Sequence, residues 1–136
     1  MKPASQAVSD LVITALDLNP DFDSYSVFPG WNEDEMEKPC VVVDLEELDA
    51  NHSRRRNLEL SVYLLASRHD NAPGIFHGMQ EKILEHFEAA AFALAEGLYA
   101  EEWKLSAFAL TAPIDELEGE QEWRSGYEFR LVLIQV

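Results

Sequence analysis

One face of a predicted helix carries the residues best suited by type and spacing to chemistry. One imidazole and three carboxylates follow each other there at offsets of 4, 4 and 3: His77, Glu81, Glu85 and Glu88. Nitrogen and oxygen donors on one helix face are a possible set of ligands for a divalent metal ion. This face lies opposite the apolar stripe of the same helix, where amphipathic helices normally carry their charges. We therefore interpret it as a solvated face and predict no metal site.

Two acids after the first predicted helix have the spacing that opens an EF-hand calcium loop. Asp21 and Asp23 would be its first and third positions. The loop pattern then fails, because its sixth position is Ser26 instead of glycine and its twelfth is Asn32 instead of glutamate. We interpret the segment as the turn that ends the helix.

No other pattern in the sequence predicts catalysis or a cofactor. Glycine-rich phosphate loops and the GxSxG nucleophile elbow are absent, and no two histidines have metal-ligand spacing. Cys40, the only cysteine, stands in an apolar run and is interpreted as a small buried hydrophobic residue. With 26 acidic residues in the chain, pairs of carboxylates carry almost no information. The sequence therefore predicts a protein that is not an enzyme and that has no catalytic residues and no cofactor.

Two clusters of like charge are candidate contact surfaces. Arg54, Arg55 and Arg56, here called the arginine cluster, fall in the predicted hairpin connection 46–56. A second predicted connection, here called the acidic hairpin, holds five acids: Asp115, Glu116, Glu118, Glu120 and Glu122. Opposite patches on one chain favour head-to-tail assembly of its copies, so we predict that both clusters contact neighbouring subunits or partners. The acidic patch that meets the arginine cluster of a neighbouring copy is either the acidic hairpin or the acidic loop 33–37. The alternative for the arginine cluster is a simply solvated turn.

Two helices are predicted from the spacing of apolar residues. Residues 3–16 place apolar side chains at helical intervals after an early proline. The stronger signal is a stripe at offsets of 3, 4, 4, 3 and 4, formed by Phe76, Met79, Ile83, Phe87, Ala90 and Leu94. Gly97 is the predicted end of this second helix, since glycine commonly terminates helices.

Five further segments are predicted as strands. The clearest is 57–65, where leucine and valine alternate with mostly polar residues, so one face is buried and the other mostly wet. The others are 24–28, 40–45, 105–112 and 123–136. The order helix, strand, strand, strand, helix, strand, strand predicts an α+β fold in a single domain, residues 1–136. We expect an antiparallel or mixed sheet of four to five strands with two helices packed on one face.

The composition narrows the classes of function. The chain of 136 residues has 10 basic and 26 acidic residues, a formal net charge of −16, which opposes tight binding to DNA or to an anionic membrane. Its 47% hydrophobic residues are too many for a disordered chain. No apolar run is long enough to span a membrane, and the amino terminus has no signal-peptide pattern. We expect an acidic globular protein, intracellular at synthesis, with no membrane partner.

The carboxy-terminal sequence and the order of elements resemble those of a group of phage proteins. Residues 105–113, LSAFALTAP, the acidic hairpin, and residues 123–133, WRSGYEFRLVL, are similar to the last hairpin of one family. These are the tail terminator and tail-completion proteins, or minor tail proteins, of long-tailed bacteriophages and prophages. The alternating strand 57–65 and the helix after it look like the middle of the same fold. As an order of elements, the resemblance spans nearly the whole chain.

The resemblance implies a structural protein of the virion tail, present in the host cytoplasm during assembly. Such proteins form a ring, usually a hexamer, that caps the tail tube, stops its polymerisation and provides a surface for head–tail joining. The implied partners are further copies of the chain, the tail tube protein and the head–neck connector protein. DNA passes through the ring without specific binding, and an acidic channel would suit this because like charges repel.

Three other roles stay open from the residues alone. The nearest is a head–tail adaptor of the same virion. An acidic inhibitor that imitates DNA fits the small size and the charge of −16, provided that its acids follow the spacing of phosphates along one face. A small enzyme or ligand-binding domain would need a pocket with converging polar groups.

Overall fold

The helices and strands follow the predicted order. A computed structural model describes residues 3–31, 39–49, 54–67, 73–118 and 122–136. Within these ranges the elements are α1 (Ala4–Leu18), β1 (Ser26–Phe28), β2 (Cys40–Asp49), β3 (Arg55–Ser67), α2 (Pro73–Ala100), β4 (Trp103–Glu118) and β5 (Glu122–Gln135). A short 3-10 helix, Pro20–Phe22, follows α1. The turn that we predicted after the first helix is thereby confirmed.

All five described strands belong to one mixed sheet, in the order β1-β2-β3-β5-β4. Only β1 runs parallel to its neighbour, β2, and the other neighbours are antiparallel. Strand β3 is central and pairs with β5 along its whole length, from Arg55 opposite Ile134 to Ser67 opposite Glu122. The α+β fold with a mixed sheet is thus confirmed.

Both helices pack on one face of this sheet and close a single large core. The alternating leucines and valines of β3 point into it and are at most 2% exposed. Burial of each such side chain stabilises the fold by roughly 1.5–3 kcal/mol. The core includes residues from α1, α2, β3 and β5: Val8, Val12, Leu16, Ile83, Phe87, Leu98, Leu58, Leu60, Val62, Leu64, Phe129, Leu131 and Leu133.

The opposite face of the sheet is less exposed to solvent than the alternating apolar pattern of β3 predicted. At one end of it Cys40, Val42 and Leu65 are at most 1% exposed, which confirms the interpretation of Cys40 as a buried residue. Phe28 and Tyr63 pack against these three. The Trp31 ring lies 4.8 Å from the Tyr63 ring, and the Arg124 guanidinium lies 4.8 Å from the Trp31 ring. The chain that leaves β1 therefore covers this end, which the period-two pattern of β3 alone does not reveal.

Gly97 is not the end of α2, contrary to the prediction. It lies inside the helix, and a Cβ added there would be 2.8 Å from Leu11 Cδ2 and 3.1 Å from Leu11 Cδ1. The glycine therefore allows a close approach of α1 to α2. The helix ends after Ala100, and Glu102 takes a left-handed backbone with φ of 69°. Its N–H donates to Tyr99 O at 3.0 Å, which closes the last turn.

The close approach at Gly97 predicts an energetic coupling to Leu11. In the wild type, Gly97→Ala displaces the Leu11 side chain, and this cost offsets the gain in helix propensity of about 1 kcal/mol. In a Leu11→Ala background we expect the full gain. Urea unfolding of the four proteins of this cycle measures the coupling, and additive effects would contradict it. Gly78→Ala is the matched control on the same helix, because an added Cβ there meets nothing within 4 Å.

Candidate functional site

The arginine cluster does not lie in a hairpin turn as predicted. Arg54 directly precedes β3, and Arg55 and Arg56 are its first two residues, paired with Ile134 and Leu133 of β5. Strand β2 likewise continues to Asp49. The connection is shorter than the predicted 46–56 because polar residues can belong to an antiparallel sheet when one of its faces is exposed to water. Residues 50–53 lie outside the described part of the chain.

Two of the three arginines contact the neighbouring strands. Arg56 Nε lies 3.0 Å from Glu47 Oε1. Arg54 Nη2 donates to Gln135 O at 3.4 Å, and Arg54 O accepts from Gln135 N at 2.7 Å. Arg55 is exposed and forms no ion pair within the described residues. Of the predicted contact residues in this cluster, Arg55 is therefore the one most available to another molecule.

The acidic hairpin is built differently from the predicted solvated tip. The backbone of Asp115, Glu116 and Glu118 belongs to β4 and that of Glu122 to β5. Glu120 lies outside the described residues. The pairing of Glu118 with Trp123 carries the ladder almost to the end of the hairpin. The acidic loop 33–37, the other predicted partner of the arginine cluster, also lies outside the described residues.

The structure does not bring the two charged clusters together. The arginine cluster lies at the start of β3, whereas the acidic hairpin lies beside its end, since Ser67 pairs with Glu122. Asp115 and Glu116 lie near the row of Leu64 and Glu122 lies opposite Ser67, so roughly 25–40 Å of strand separates the two clusters. The sheet therefore has one end with consecutive arginines and one end rich in acids. Neither cluster can neutralise the other within a single copy.

The face of the sheet that points away from the helices carries charges of both signs. Arg130 Nη2 lies 3.4 Å from Glu59 Oε2 on adjacent strands. Asp44, Ser61 and Glu128 form the next row across the sheet. Side chains directly opposite each other in an antiparallel sheet share a face. The described acids of this face are thus interrupted by a basic residue and do not form a continuous negative row.

Strand β4 forms an edge of the sheet and has an apolar border. It pairs with β5 on one side, and no described strand lies on its other side. Leu110 is exposed, and Phe108 is partly buried against Phe129 with the two rings stacked 5.2 Å apart. Leu84 of α2 lines the same shallow groove. Apolar side chains beside an unpaired strand are typical of protein contact surfaces.

A second apolar space adjoins this groove between the two helices. The cavity measures about 210 Å³ and shares Phe87 and Phe108 with the groove beside β4. Leu18, which is 77% exposed, stands at its border. The lining is mainly apolar, and Thr14 and His86 are its polar residues, so the cavity has few hydrogen-bonding groups to orient a ligand.

His86 is a site that the sequence reasoning did not single out. Asn19 Oδ1 accepts the backbone N–H of Asp21 at 3.0 Å, so the Asn19 amide nitrogen faces His86 Nδ1, 2.8 Å away. Since that nitrogen donates, Nδ1 accepts and the ring is neutral with its proton on Nε2. Nε2 is buried and has no hydrogen-bond partner among the described residues. The sequence feature that could have identified His86 is its position three residues after Ile83, at the margin of the apolar stripe.

The surroundings of His86 favour the neutral ring. The rings of Phe22 and Phe87 meet it edge-on, with centroids 6.0 Å and 5.2 Å away. Burial lowers the pKa of His86 below its ordinary value, and the Asp21 carboxylate opposes part of this decrease. A neutral His86 therefore joins the 3-10 helix to α2.

The predicted solvated face of α2 agrees with the described side chains. Glu81, Glu85 and Glu88 are exposed, while the side chain of His77 lies outside what the structure describes. Among the described residues, no three histidine, cysteine or acidic side chains are grouped closely enough to hold a metal ion. No described helix is both long and apolar enough to cross a membrane.

Comparison with known proteins adds no family to these observations. No protein-family model matches the chain, and no curated protein matches it. We therefore infer the function from the placement of the charged clusters, the β4 edge and the order of elements.

The buried neutral state of His86 predicts a loss of stability in mild acid. The pKa of an unfolded histidine is about 6.5, and that of folded His86 is lower, so the unfolded state binds more protons near neutrality. The stabilisation is complete above about pH 6.5 and is lost as the pH falls through the folded-state pKa. Urea unfolding between about pH 8 and pH 5 should show a steeper loss for the wild type than for His86→Gln. Equal pH dependence in both proteins would disprove this role.

Proposed function

We propose that the protein is a structural subunit of a phage tail that forms a ring on the tail tube. The ring caps the tube, stops its polymerisation and provides the surface for joining to the head. Its partners are the tail tube protein, the head–neck connector protein and further copies of the chain. The copies form the ring, which in such proteins is usually a hexamer. In this proposal the protein belongs to the virion tail and is present in the host cytoplasm during assembly.

The observation that carries the proposal is the separation of opposite charges along the sheet. The described members of the arginine cluster and the acidic hairpin lie roughly 25–40 Å apart along β3. Arg56 already pairs with Glu47 within the copy, whereas Arg55 is exposed and can pair with the acidic hairpin of another copy placed head to tail. Such a contact repeats from each copy to the next and closes into a ring when the rotation between copies permits it.

The order of elements and the net charge support the same function. Helix, three strands, helix and a last long hairpin form the order that resembles tail terminator proteins. A ring multiplies the charge of −16 on each copy, so its surfaces repel the phosphates of passing DNA. Weak adsorption is what a channel for DNA requires.

A DNA-mimicking inhibitor is less well supported by the surface. An imitation of a duplex needs an uninterrupted series of negative groups along one face. On the open face of the sheet, Arg130 pairs with Glu59, and Arg55 lies farther along the same strand as Glu59. This mixture of signs favours a surface that assembles with copies of itself.

Tube polymerisation in vitro tests the proposal. Tail tube subunits of the same virion should form tubes that become shorter and carry a ring at one end when the protein is added, as measured by negative-stain electron microscopy. A head–tail adaptor would bind the connector protein but leave the length of the tubes unchanged. Unchanged tubes without rings at any ratio of the two proteins would refute the proposed capping.

Arg55 provides a direct test of the charged contact. Arg55→Glu should weaken ring formation because it removes an exposed positive charge from the arginine cluster. Lys82→Glu is the matched control, since Lys82 is also exposed but lies on α2 and the charge change is the same. The proposed head-to-tail contact fails if both variants assemble as the wild type does.

The high net charge predicts an unusual response to salt. At about 0.01 M salt, charges interact over roughly 30 Å, so whole copies repel each other, whereas at about 0.1 M this range falls to about 10 Å. We therefore expect assembly to strengthen between these two concentrations, as measured by sedimentation velocity. Steady weakening over the same range would show that attraction between the charged clusters outweighs the repulsion.

A further inference from the structure

Strand β4 combines an edge that no described strand pairs with and high exposure along residues 105–113. Along residues 105–113 the exposed residues are Ser106, Ala107, Ala109, Leu110, Thr111 and Pro113. Its described neighbour, β5, occupies only one of its two edges. The other edge presents backbone N–H and C=O groups that another extended segment can pair with.

The same stretch is neutral in a strongly acidic chain. Residues 105–114 contain no charged side chain, although the whole chain carries a net charge of −16. Edge strands that must stay free are commonly protected by charges, which this stretch lacks. Its protection is limited to Pro113 and to irregular pairing, as between Leu105 and Ala107 and between Leu110 and Ala112. Between these irregularities, Ala107 to Leu110 pair in regular register with β5.

An apolar border accompanies the neutral edge on the helix side. Phe108 and Leu110 line the groove together with Leu84 and Phe87 of α2, and the exposed Glu88 is the charged residue at its rim. The other edge of the sheet differs, because β1 has only three residues. The β4 edge is therefore the longer of the two described edges.

We propose that the β4 edge and its apolar border are the surface on which a second copy of this chain docks. An extended segment of the second copy pairs with the backbone of residues 105–113, and its apolar side chains cover Phe108 and Leu110. This inference rests on the self-association in the proposed function and specifies where it occurs. It does not depend on capping of the tail tube.

Charge identifies the occupant as another copy. Two copies that each carry −16 repel most strongly where their acids meet and least where both surfaces are neutral. A basic partner would be attracted to the acidic parts of the surface instead of this stretch. A second copy gains most from docking here, because the neutral edge lets it approach and the apolar border contributes the contact energy.

A pair of matched leucine variants tests this surface. Leu110 and Leu48 are both strand residues of similar exposure, 45% and 39%, but Leu48 belongs to β2, which β3 and β5 separate from β4. Leu110→Lys should raise the dissociation constant of self-association at least about tenfold, as loss of a central apolar contact does. Leu48→Lys should leave it unchanged. Sedimentation velocity over a range of concentrations measures both, with circular dichroism as a check of folding.

A second variant keeps the test valid if Leu110→Lys does not fold. Ala109 is exposed on the opposite face of the same strand, so Ala109→Lys adds a charge at the edge without entering the core. It should also weaken association at least about tenfold. The proposal is overturned if the folded β4 variants associate as the wild type does, or if Leu48→Lys weakens association equally.

Hydrogen–deuterium exchange locates the contact directly. Backbone amides of β4 should exchange more slowly in assembled than in dilute protein, while those of β5, already paired on both sides, should not change. Protection of β4 alone indicates symmetric pairing of two β4 edges, and added protection of β1 indicates head-to-tail pairing. Both outcomes support docking at β4, but only head-to-tail pairing can repeat around a ring, because symmetric pairing closes a dimer. Unchanged exchange in β4 overturns the proposal.

These experiments separate this inference from the proposed function. Rings that cap tubes despite the β4 variants would overturn the docking surface and leave tail capping intact. Association through β4 without capping of tubes would support the docking surface and overturn tail capping. A wild type that stays monomeric at every concentration, alone and with tube subunits, would overturn both.

Discussion

The burial of one face of β3 is the constraint on which the rest of the structure depends. Strand β3 pairs with β2 on one side and with β5 on the other, and its alternating apolar residues are almost completely buried under the helices. A shift of one residue in its register would turn Glu59 and Ser61 toward the core. This burial fixes which face the helices cover, which side chains reach water and which strands are left at the edges.

Electrostatics contributes little to holding this fold together, so the charges are available for association. The ion pairs Arg56–Glu47 and Arg130–Glu59 are partly exposed, and such pairs stabilise a protein by about 0–1 kcal/mol each. The apolar core exceeds this many times over. Each acid whose side chain the structure describes is exposed or partly exposed, so water screens it. The net charge of −16 therefore acts mainly on approaching molecules.

The sequence predicts which helices and strands form more accurately than it predicts where they end and which residues they contact. Periodicity identifies both helices and the buried face of β3, because burial leaves a repeating apolar pattern. It misplaces the end of α2, since Gly97 serves the approach of Leu11, a tertiary contact with no local signal. The pairing of His86 with Asn19 is missed for the same reason, since 67 positions separate the two residues. The extent of the β4–β5 hairpin is missed although its end is local, because its acids resemble a loop in composition.

The order β1-β2-β3-β5-β4 also has a geometric consequence. Neighbouring strands in a sheet are rotated by roughly 20–25°, so the two edge strands differ in direction by roughly 80–100° across four steps. Copies that simply extended one continuous sheet would wind about each other as a twisted filament. A flat ring with one axis for the DNA therefore requires each copy to join the next at an angle. The apolar border along one side of β4 permits such an oblique joint, which backbone pairing alone does not.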